Sequence, residues 1–278
     1  MPEMPEVQTL VDALNRVDLV GRRISGAAVY WPKTIAGMPP AVFSERITGC
    51  VLQAVTRRGK YLVFRLTRGL QLLLHLRMTG RLNWVTGDRT VDKHEHVILE
   101  MGCQHQLRFQ DTRKFGRCFL TDAPETVLGK LGPEPLAKRF TGARFFDMLA
   151  SRRRQIKPLL LDQTFLAGLG NIYVDESLWR AGVHPLRLAN SLTKKEAAAL
   201  HRAIRQVLRQ GLKNNGTSLG RGKSNFYSLG NRPGRNADKL KVFRRTASPC
   251  PRCRTSIERI VVGQRSSHVC PTCQKAPR

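Results

Sequence analysis

Three groups of residues in this 278-residue chain have types and spacings suited to chemistry. The first is Met1-Pro2-Glu3-Met4-Pro5-Glu6-Val7, where two prolines and two glutamates crowd one terminus. With Met1 removed, the chain begins with a proline whose nitrogen is a secondary amine. An α-amino group titrates at about 7.7–8.0 against about 10.4 for a lysine side chain, so near neutral pH it is far more often uncharged and nucleophilic. The plain alternative is that Pro5 starts a helix and Glu6 favours its positive end. The second group is Cys250-Pro-Arg-Cys253 and, sixteen residues on, Cys270-Pro-Thr-Cys273. Two such knuckles supply the four thiolates that a tetrahedral zinc takes at about 2.3 Å. Four protein ligands leave no open position, so one Zn2+ here is structural, and a finger this small depends on it to fold. A disulfide pair is the alternative, disfavoured in a reducing compartment.

The third group consists of turns. Arg57-Arg58-Gly59-Lys60 lies between two strand-like runs and reads as a solvated charge cluster. His75-Leu-Arg-Met78-Thr-Gly80 and Asp111-Thr-Arg113-Lys-Phe115-Gly116 each set one large apolar side chain among basic ones. Such a residue is either an ordinary packed Met or Phe, or a wedge that enters a base stack. Ala167-Gly-Leu-Gly-Asn171-Ile-Tyr173 is a glycine turn feeding a helix start, again either plain or a phosphate cradle. Cys50, Cys103 and Cys118 are scattered and read as buried thiols.

The elements that must position these groups follow from hydrophobic period. Val7, Leu10, Val11, Leu14 and Val17 form a helical stripe from Pro5 to Val17, with Gly21 as the stop. From Arg23 to Leu120 the runs are short and strand-like: 25–30, 51–56, 61–66, 70–76, 82–85, 96–101, 106–110 and 117–120. So many strands with short turns predict a β-sandwich or barrel. Leu131-Gly-Pro-Glu-Pro-Leu136 reads as a linker, after which the texture is helical, at 145–150, 156–161 and 172–181. Thr193-Lys-Lys-Glu196 is a capping box opening a longer helix. Residues 213–239 read as a mobile basic loop. Within the cysteine region, 257–262 and 267–269 predict a hairpin turning at Gly263-Gln264, with Arg265 at or beside its tip.

Charge narrows the function class. The chain has 48 Lys+Arg against 20 Asp+Glu, a net charge of +28. That excess points to a polyanion, with anionic membrane as the competing target. No stretch approaches the roughly 18 apolar residues of a spanning helix, and the acidic start is not a signal peptide. The expectation is an intracellular, cytoplasmic protein on nucleic acid.

Taken together, the chain resembles the formamidopyrimidine-DNA glycosylases of the Fpg/Nei family. The resemblance runs from the Pro-Glu-x-Pro-Glu-Val start through Lys60-Tyr61, His-Leu-x-Met, Lys-His-x-His (93–96), Asp-x-Arg-x-Phe-Gly, Leu-Gly-Pro-Glu-Pro-Leu, Gly-x-Gly-Asn-Ile-Tyr and His184-Pro185 to the four-cysteine finger with Gln264-Arg265. The start and the Leu-Gly-Pro-Glu-Pro-Leu linker look like the Fpg branch. The resemblance implies an α+β multidomain protein. Its parts are an N-terminal catalytic β-sandwich with flanking helices (1–130), a helical helix–two-turn–helix DNA-binding domain (131–240) with a flexible lesion loop (214–240), and a β-hairpin zinc finger (241–278).

It also implies a monomeric bifunctional glycosylase and AP lyase of base excision repair. The enzyme would excise oxidised purines (8-oxoguanine, formamidopyrimidines) from damaged double-stranded DNA. A non-catalytic lesion-binding protein, or a preference for oxidised pyrimidines, are the alternatives. By the resemblance, Pro2 is the nucleophile, Glu3 the general acid, and Glu6 orients the amine or a water. Lys60 and Arg265 serve β- and δ-elimination. His94, Arg113, Arg152, Lys157 and Asn171 hold the DNA backbone, while Met78, Arg113 and Phe115 fill the gap left by a flipped nucleotide. Three positions depart from the family pattern. Arg152 replaces a lysine, Thr112 replaces a proline and predicts a looser wedge turn, and Val242-Phe243-Arg244-Arg245 lacks the usual Tyr-Gly.

Overall fold

The computed structural model describes residues 1–102, 104–220 and 225–277, and the chain divides into two compact units. One comprises Met1–Lys130 with Asn214–Arg235, the other Leu131–Lys213 with Asn236–Arg278.

The first unit opens with α1, Met4–Leu14, with Glu3 as N-cap and a proline in the first turn. Val7, Leu10, Val11 and Leu14 are buried as one stripe. The helix ends at Leu14 rather than at Val17, with Asn15 as its C-cap. The Asn15 amide donates to the Val55 carbonyl at 3.0 Å, which fastens that end to a strand. All eight expected strands form: β1 Gly26–Val29, β2 Leu52–Arg58, β3 Tyr61–Leu66, β4 Gln71–His75, β5 Gly80–Thr86, β6 Glu95–Glu100, β7 His105–Asp111 and β8 Arg117–Thr121. They make two antiparallel sheets, ordered β1-β6-β7-β5 and β2-β3-β4-β8. Phe64, Leu72 and Leu74 of one sheet share a single core with Leu82, Val97, Leu107 and Phe109 of the other. This is a sandwich, as the alternation predicts.

Three features depart from the sequence reading. A helix, α2 Pro40–Ile47, interrupts the strand-rich stretch; Phe43 and Ile47, one turn apart, bury its inner face. A short α3, Glu125–Leu128, follows β8. The stretch expected as a mobile basic loop carries regular structure in its described part. There β9, Tyr227–Ser228, pairs with β10, Arg232–Pro233, and Phe226 and Leu229 join the sandwich core. The Ser218 hydroxyl donates to the Phe226 carbonyl and accepts the Gly234 amide, which closes the stem of this segment. Residues 221–224 lie outside the described residues, as does Cys103. Cys50 and Cys118 are buried thiols, and burial pushes the Cys118 thiol up to about 12.

The second unit carries α4 Gly142–Ala150, α5 Ile156–Leu161, α6 Asn171–Ala181 and α7 Lys194–Lys213. The capping box forms at the start of α7: Glu196 donates its amide to Thr193 Oγ1 at 3.2 Å and returns a carboxylate oxygen to the Thr193 amide at 2.8 Å. The hairpin is β11 Glu258–Val262 and β12 Arg265–Val269, turning at Gly263-Gln264.

Two consecutive buried acids on α6 tie this unit together. Glu176 accepts the backbone amides of Lys241, Val242 and Phe243 at 2.9–3.0 Å. Val242 and Phe243 are thus buried structural positions. Asp175 takes Lys157 Nζ at 2.5 Å on one oxygen and the His268 amide at 2.9 Å on the other. Removing one member of a fully buried pair strands the other charge. Asp175→Ala is therefore expected to lower stability in urea unfolding by about 3–5 kcal/mol, with much of that loss recovered in Lys157→Met/Asp175→Leu.

Candidate active site

The chain start is built into the fold. Pro2 and Glu3 are buried while Met1 is half exposed. Glu6, one helical turn along, returns Oε2 to the Glu3 amide at 2.8 Å, and its Oε1 accepts the Thr217 amide at 2.7 Å. Gly216 lies at φ +79° with space for a Cβ only 3.0 Å from the Glu6 side chain, so glycine is required beside this carboxylate. Both its oxygens accept backbone amides, so the carboxylate that the resemblance assigns to the amine or a water also latches the helix start.

Lys60 lies at the same end of the unit. Asn15 contacts Val55 and Gln8 accepts from Arg57 Nε at 3.0 Å, so following α1 towards its start leads along β2 to the β2–β3 turn. Lys60, in that turn, is 4 % exposed. Its charge bears on His75, which in the sequence is legible only as part of a motif. His75 is buried, and its Nδ1 accepts the Arg77 amide at 3.0 Å, so the ring proton is on Nε2. Burial first, then the positive charges of Arg77 and Lys60, pull its pKa down to about 3. His75 is therefore a fixed neutral N–H donor beside an ammonium. Its motif is visible in sequence; the tautomer is not.

The two wedge turns come together. Met78 and Phe115 are 39 % and 46 % exposed, unusual for side chains of their size. Between them Arg113 donates from Nη1 to Met78 Sδ at 3.0 Å and lies over the Phe115 ring at 4.7 Å. Asp111, fully buried, holds the turns from beneath. One of its oxygens meets the Thr79 hydroxyl and the Arg113 amide, the other the Gly116 amide at 2.7 Å. A Cβ at Gly80 would lie 2.4 Å from the Leu76 carbonyl, and one at Gly116 would lie 2.3 Å from the Phe109 ring. Both glycines are thus dictated by close approach. Asp111 is a positioning residue that the sequence reading misses, although an aspartate opening a turn is a recognisable side-chain-to-backbone pattern. His94 lines a cavity of about 150 Å³ together with Thr79, Arg81 and Gln110, with its Nδ1 buried and without a partner.

In the second unit, Asn171 is the first residue of α6, after the glycine turn, and donates to the Ser266 carbonyl at 2.9 Å while its Oδ1 is buried without a partner. Arg152 and Arg265 are exposed, and Arg265 opens β12 beside the hairpin tip. Lys157 departs from expectation: it is 0 % exposed, with its ammonium held by Asp175 and by the Ser266 carbonyl at 2.9 Å. It anchors the hairpin rather than presenting a charge to solvent.

Sγ atoms of Cys250, Cys253, Cys270 and Cys273 lie within 4.8 Å of one another, and the cysteines are not joined in disulfides. Tetrahedral Zn–S bonds of about 2.3 Å require sulfurs roughly 3.8 Å apart, so the set fits one structural zinc ion. The Arg252 and Cys273 amides and the Trp179 indole each donate to a cysteine sulfur at 3.4 Å, which suits thiolate charge.

Two measurements follow. The purified protein is expected to hold about one zinc per chain. Stripping it with a chelator should expose the amides of β11 and β12 to hydrogen exchange while those of the sandwich stay protected. Separately, unfolded histidine titrates near 6.5 and folded His75 at about 3, so the unfolded state binds the extra proton between those values. Stability should fall as pH drops through that window, with His75 contributing up to about 1.4 kcal/mol per unit, and His75→Gln should flatten the slope.

Comparison with known proteins agrees along the whole chain. Residues 1–118 match the Formamidopyrimidine-DNA glycosylase N-terminal domain, 131–222 the Formamidopyrimidine-DNA glycosylase H2TH domain, and 247–276 the zinc finger found in FPG and IleRS. The formamidopyrimidine-DNA glycosylase of Protochlamydia amoebophila is 46% identical over 275 residues, covering 99% of this chain and 100% of that protein. The one from Herpetosiphon aurantiacus is 45% identical over 277 residues, covering 99% and 100%. Among solved structures, a Lactococcus lactis FPG mutant in complex with a Fapy-dG containing DNA aligns with a TM-score of 0.91 at 36% identity, covering 99% of this chain and 100% of that one. The complex of Lactococcus lactis Fpg with an abasic site containing DNA aligns at 0.90 and 35%, with the same coverage. The chain belongs to the formamidopyrimidine-DNA glycosylase family.

Proposed function

We propose that the protein is a bifunctional DNA glycosylase and AP lyase of base excision repair, acting as a monomer on oxidised purines in duplex DNA. The observation that carries this reading is the start of α1. A proline one residue from the terminus is buried beside a capped helix end, in a chain that matches this family from end to end. Family relatives have been solved on DNA containing Fapy-dG and an abasic site, and the net charge of +28 suits the same polyanion. A DNA substrate is what supports a cytoplasmic location, with the nucleoid as the site if the source is bacterial. No helix among the described residues is long and apolar enough to cross a membrane.

In the proposed reaction, removal of Met1 converts the Pro2 nitrogen from an amide to a secondary amine. That nitrogen attacks the sugar C1′, the C1′–N bond to the damaged base breaks, and Glu3 protonates the sugar ring oxygen as the ring opens. The iminium left on Pro2 draws electrons from the neighbouring carbon, whose proton is lost as the 3′ phosphate departs; a second elimination releases the 5′ phosphate. Lys60 and Arg265 supply protons and hold phosphate charge in these two steps. The neutral Nε2–H of His75 offers a further phosphate donor beside Lys60. Met78, Arg113 and Phe115 enter the stack and offset part of the few kcal/mol that unstacking costs. His94, Arg152 and Asn171 hold the strand backbone; Lys157 contributes by anchoring the hairpin that bears Arg265. The zinc holds the hairpin and takes no part in the bond changes.

The test is single-turnover cleavage of duplexes carrying oxidised purines, oxidised pyrimidines or an abasic site, with the product ends read on a gel. Two phosphate-terminated ends around a one-nucleotide gap are expected, fastest for the oxidised purines. Binding without cutting would leave the non-catalytic reading standing. Glu3→Gln is expected to slow base release by about 100- to 10,000-fold, the usual contribution of a positioned proton donor. Borohydride trapping should fall sharply in Pro2→Gly and vanish when a tag remains ahead of Pro2.

A further inference from the structure

The Phe115 turn has a support that the proposed reaction does not use. Lys114, the residue before Phe115, lies in the left-handed region at φ 58°, where non-glycine residues carry backbone strain. Position 112 is threonine, so no proline ring stiffens the turn. Lys114 nevertheless has a defined seat: its Nζ lies 4.0 Å from the centroid of the Trp31 indole, well within cation–π range. Among the described residues Lys114 forms no ion pair, so its charge rests on that ring. From the other side, Arg117 Nη1 donates to the Lys114 carbonyl at 3.1 Å.

Trp31 is itself held by both sheets of the sandwich. Immediately before it, the Tyr30 amide donates to the His96 carbonyl of β6 at 2.9 Å. Immediately after it, a single 3-10 turn, Pro32–Thr34, leads to Ile35, which bridges Cys118 of β8, and the Ala36 amide donates to the Cys118 carbonyl at 2.9 Å. Strands β6 and β8 belong to different sheets. The indole therefore stands where the chain crosses between them, a fixed platform for a turn that is otherwise exposed.

We propose that Trp31 and Lys114 are positioning residues, and that their cation–π contact holds the Phe115 turn in the pose from which Phe115 enters the base stack. The role in stack entry rests on the DNA glycosylase reading above; the role in holding the turn does not. Asp111 fixes the base of the turn and Lys114 fixes its crest, so the pair governs how far Phe115 can swing.

The test compares Lys114→Met, Trp31→Leu, the double variant and Lys114→Arg in two measurements. In the first, hydrogen exchange across residues 112–116 is followed in the free protein. Each single variant should raise exchange, the double variant should raise it no further, and Lys114→Arg should restore protection. In the second, 2-aminopurine beside an oxidised purine reports entry of the wedge. Its fluorescence rise should slow by about 2- to 5-fold in each single variant and by no more in the double, the range expected of an exposed cation–π pair. Lys114 is exposed, so Lys114→Met tests the idea even where Trp31→Leu does not fold. Unchanged exchange in Lys114→Met, or additive effects in a folded double variant, would overturn the pairing. Failure of the unmodified protein to trap on an abasic duplex would instead defeat the glycosylase reading, and the exchange measurement would still decide the pairing.

Discussion

The chain start depends on one buried carboxylate. Terminal residues ordinarily fray, because little ties them down. Here Glu6, 1 % exposed, accepts the Glu3 amide with one oxygen and the Thr217 amide with the other. Hydrogen bonds to a charged group are worth about 1.5–3 kcal/mol each, enough to hold the few terminal residues that would otherwise sample many conformations. The same side chain therefore fixes the direction in which Pro2 enters α1 and docks a segment far along the chain. That segment buries Phe226 and Leu229 in the sandwich core, so its position does not rest on a single bond.

A second constraint governs the wedge turns. An exposed Met and an exposed Phe lose nothing by folding flat on the surface, and the hydrophobic effect favours it. They are kept up by their neighbours. Asp111 satisfies the amides of the Phe115 turn from below, Gly80 and Gly116 allow backbone to approach where no Cβ fits, and Arg113 fills the space between sulfur and ring. Arg77 and Lys114, each just before a wedge residue, both take the left-handed conformation. Strain is placed where the side chains must point outward, and buried hydrogen bonds compensate for it.

Much of this is legible in the sequence because it depends on local spacing. Cysteine knuckles, the Thr193–Glu196 capping box, strand alternation and the Gly263-Gln264 turn are all decided within a few residues. What is not legible depends on partners distant in sequence. Lys157 reads as a surface cation until Asp175 arrives from the next helix and buries it. Glu6 reads as an orienter of the amine or as a helix-start residue, and nothing local shows that Thr217 also takes one of its oxygens. Helix α2 hides in a strand-rich stretch because only Phe43 and Ile47 mark its face. The 213–239 stretch reads as solvent loop because two apolar anchors, Phe226 and Leu229, are diluted among glycine, asparagine and arginine. Motif resemblance supplies the roles of Pro2 and Glu3; burial and hydrogen bonding supply the reason that a chain terminus can be held well enough to carry them.

The proposed reaction turns on which nitrogen bonds to the sugar. The direct measurement is to reduce the protein with borohydride on an abasic duplex, digest the adduct, and locate the added sugar mass by tandem mass spectrometry. It should lie on the peptide beginning at Pro2, with Met1 absent from every adducted chain. A sugar on Lys60 or another lysine, or equal labelling of chains that still carry Met1, would contradict it.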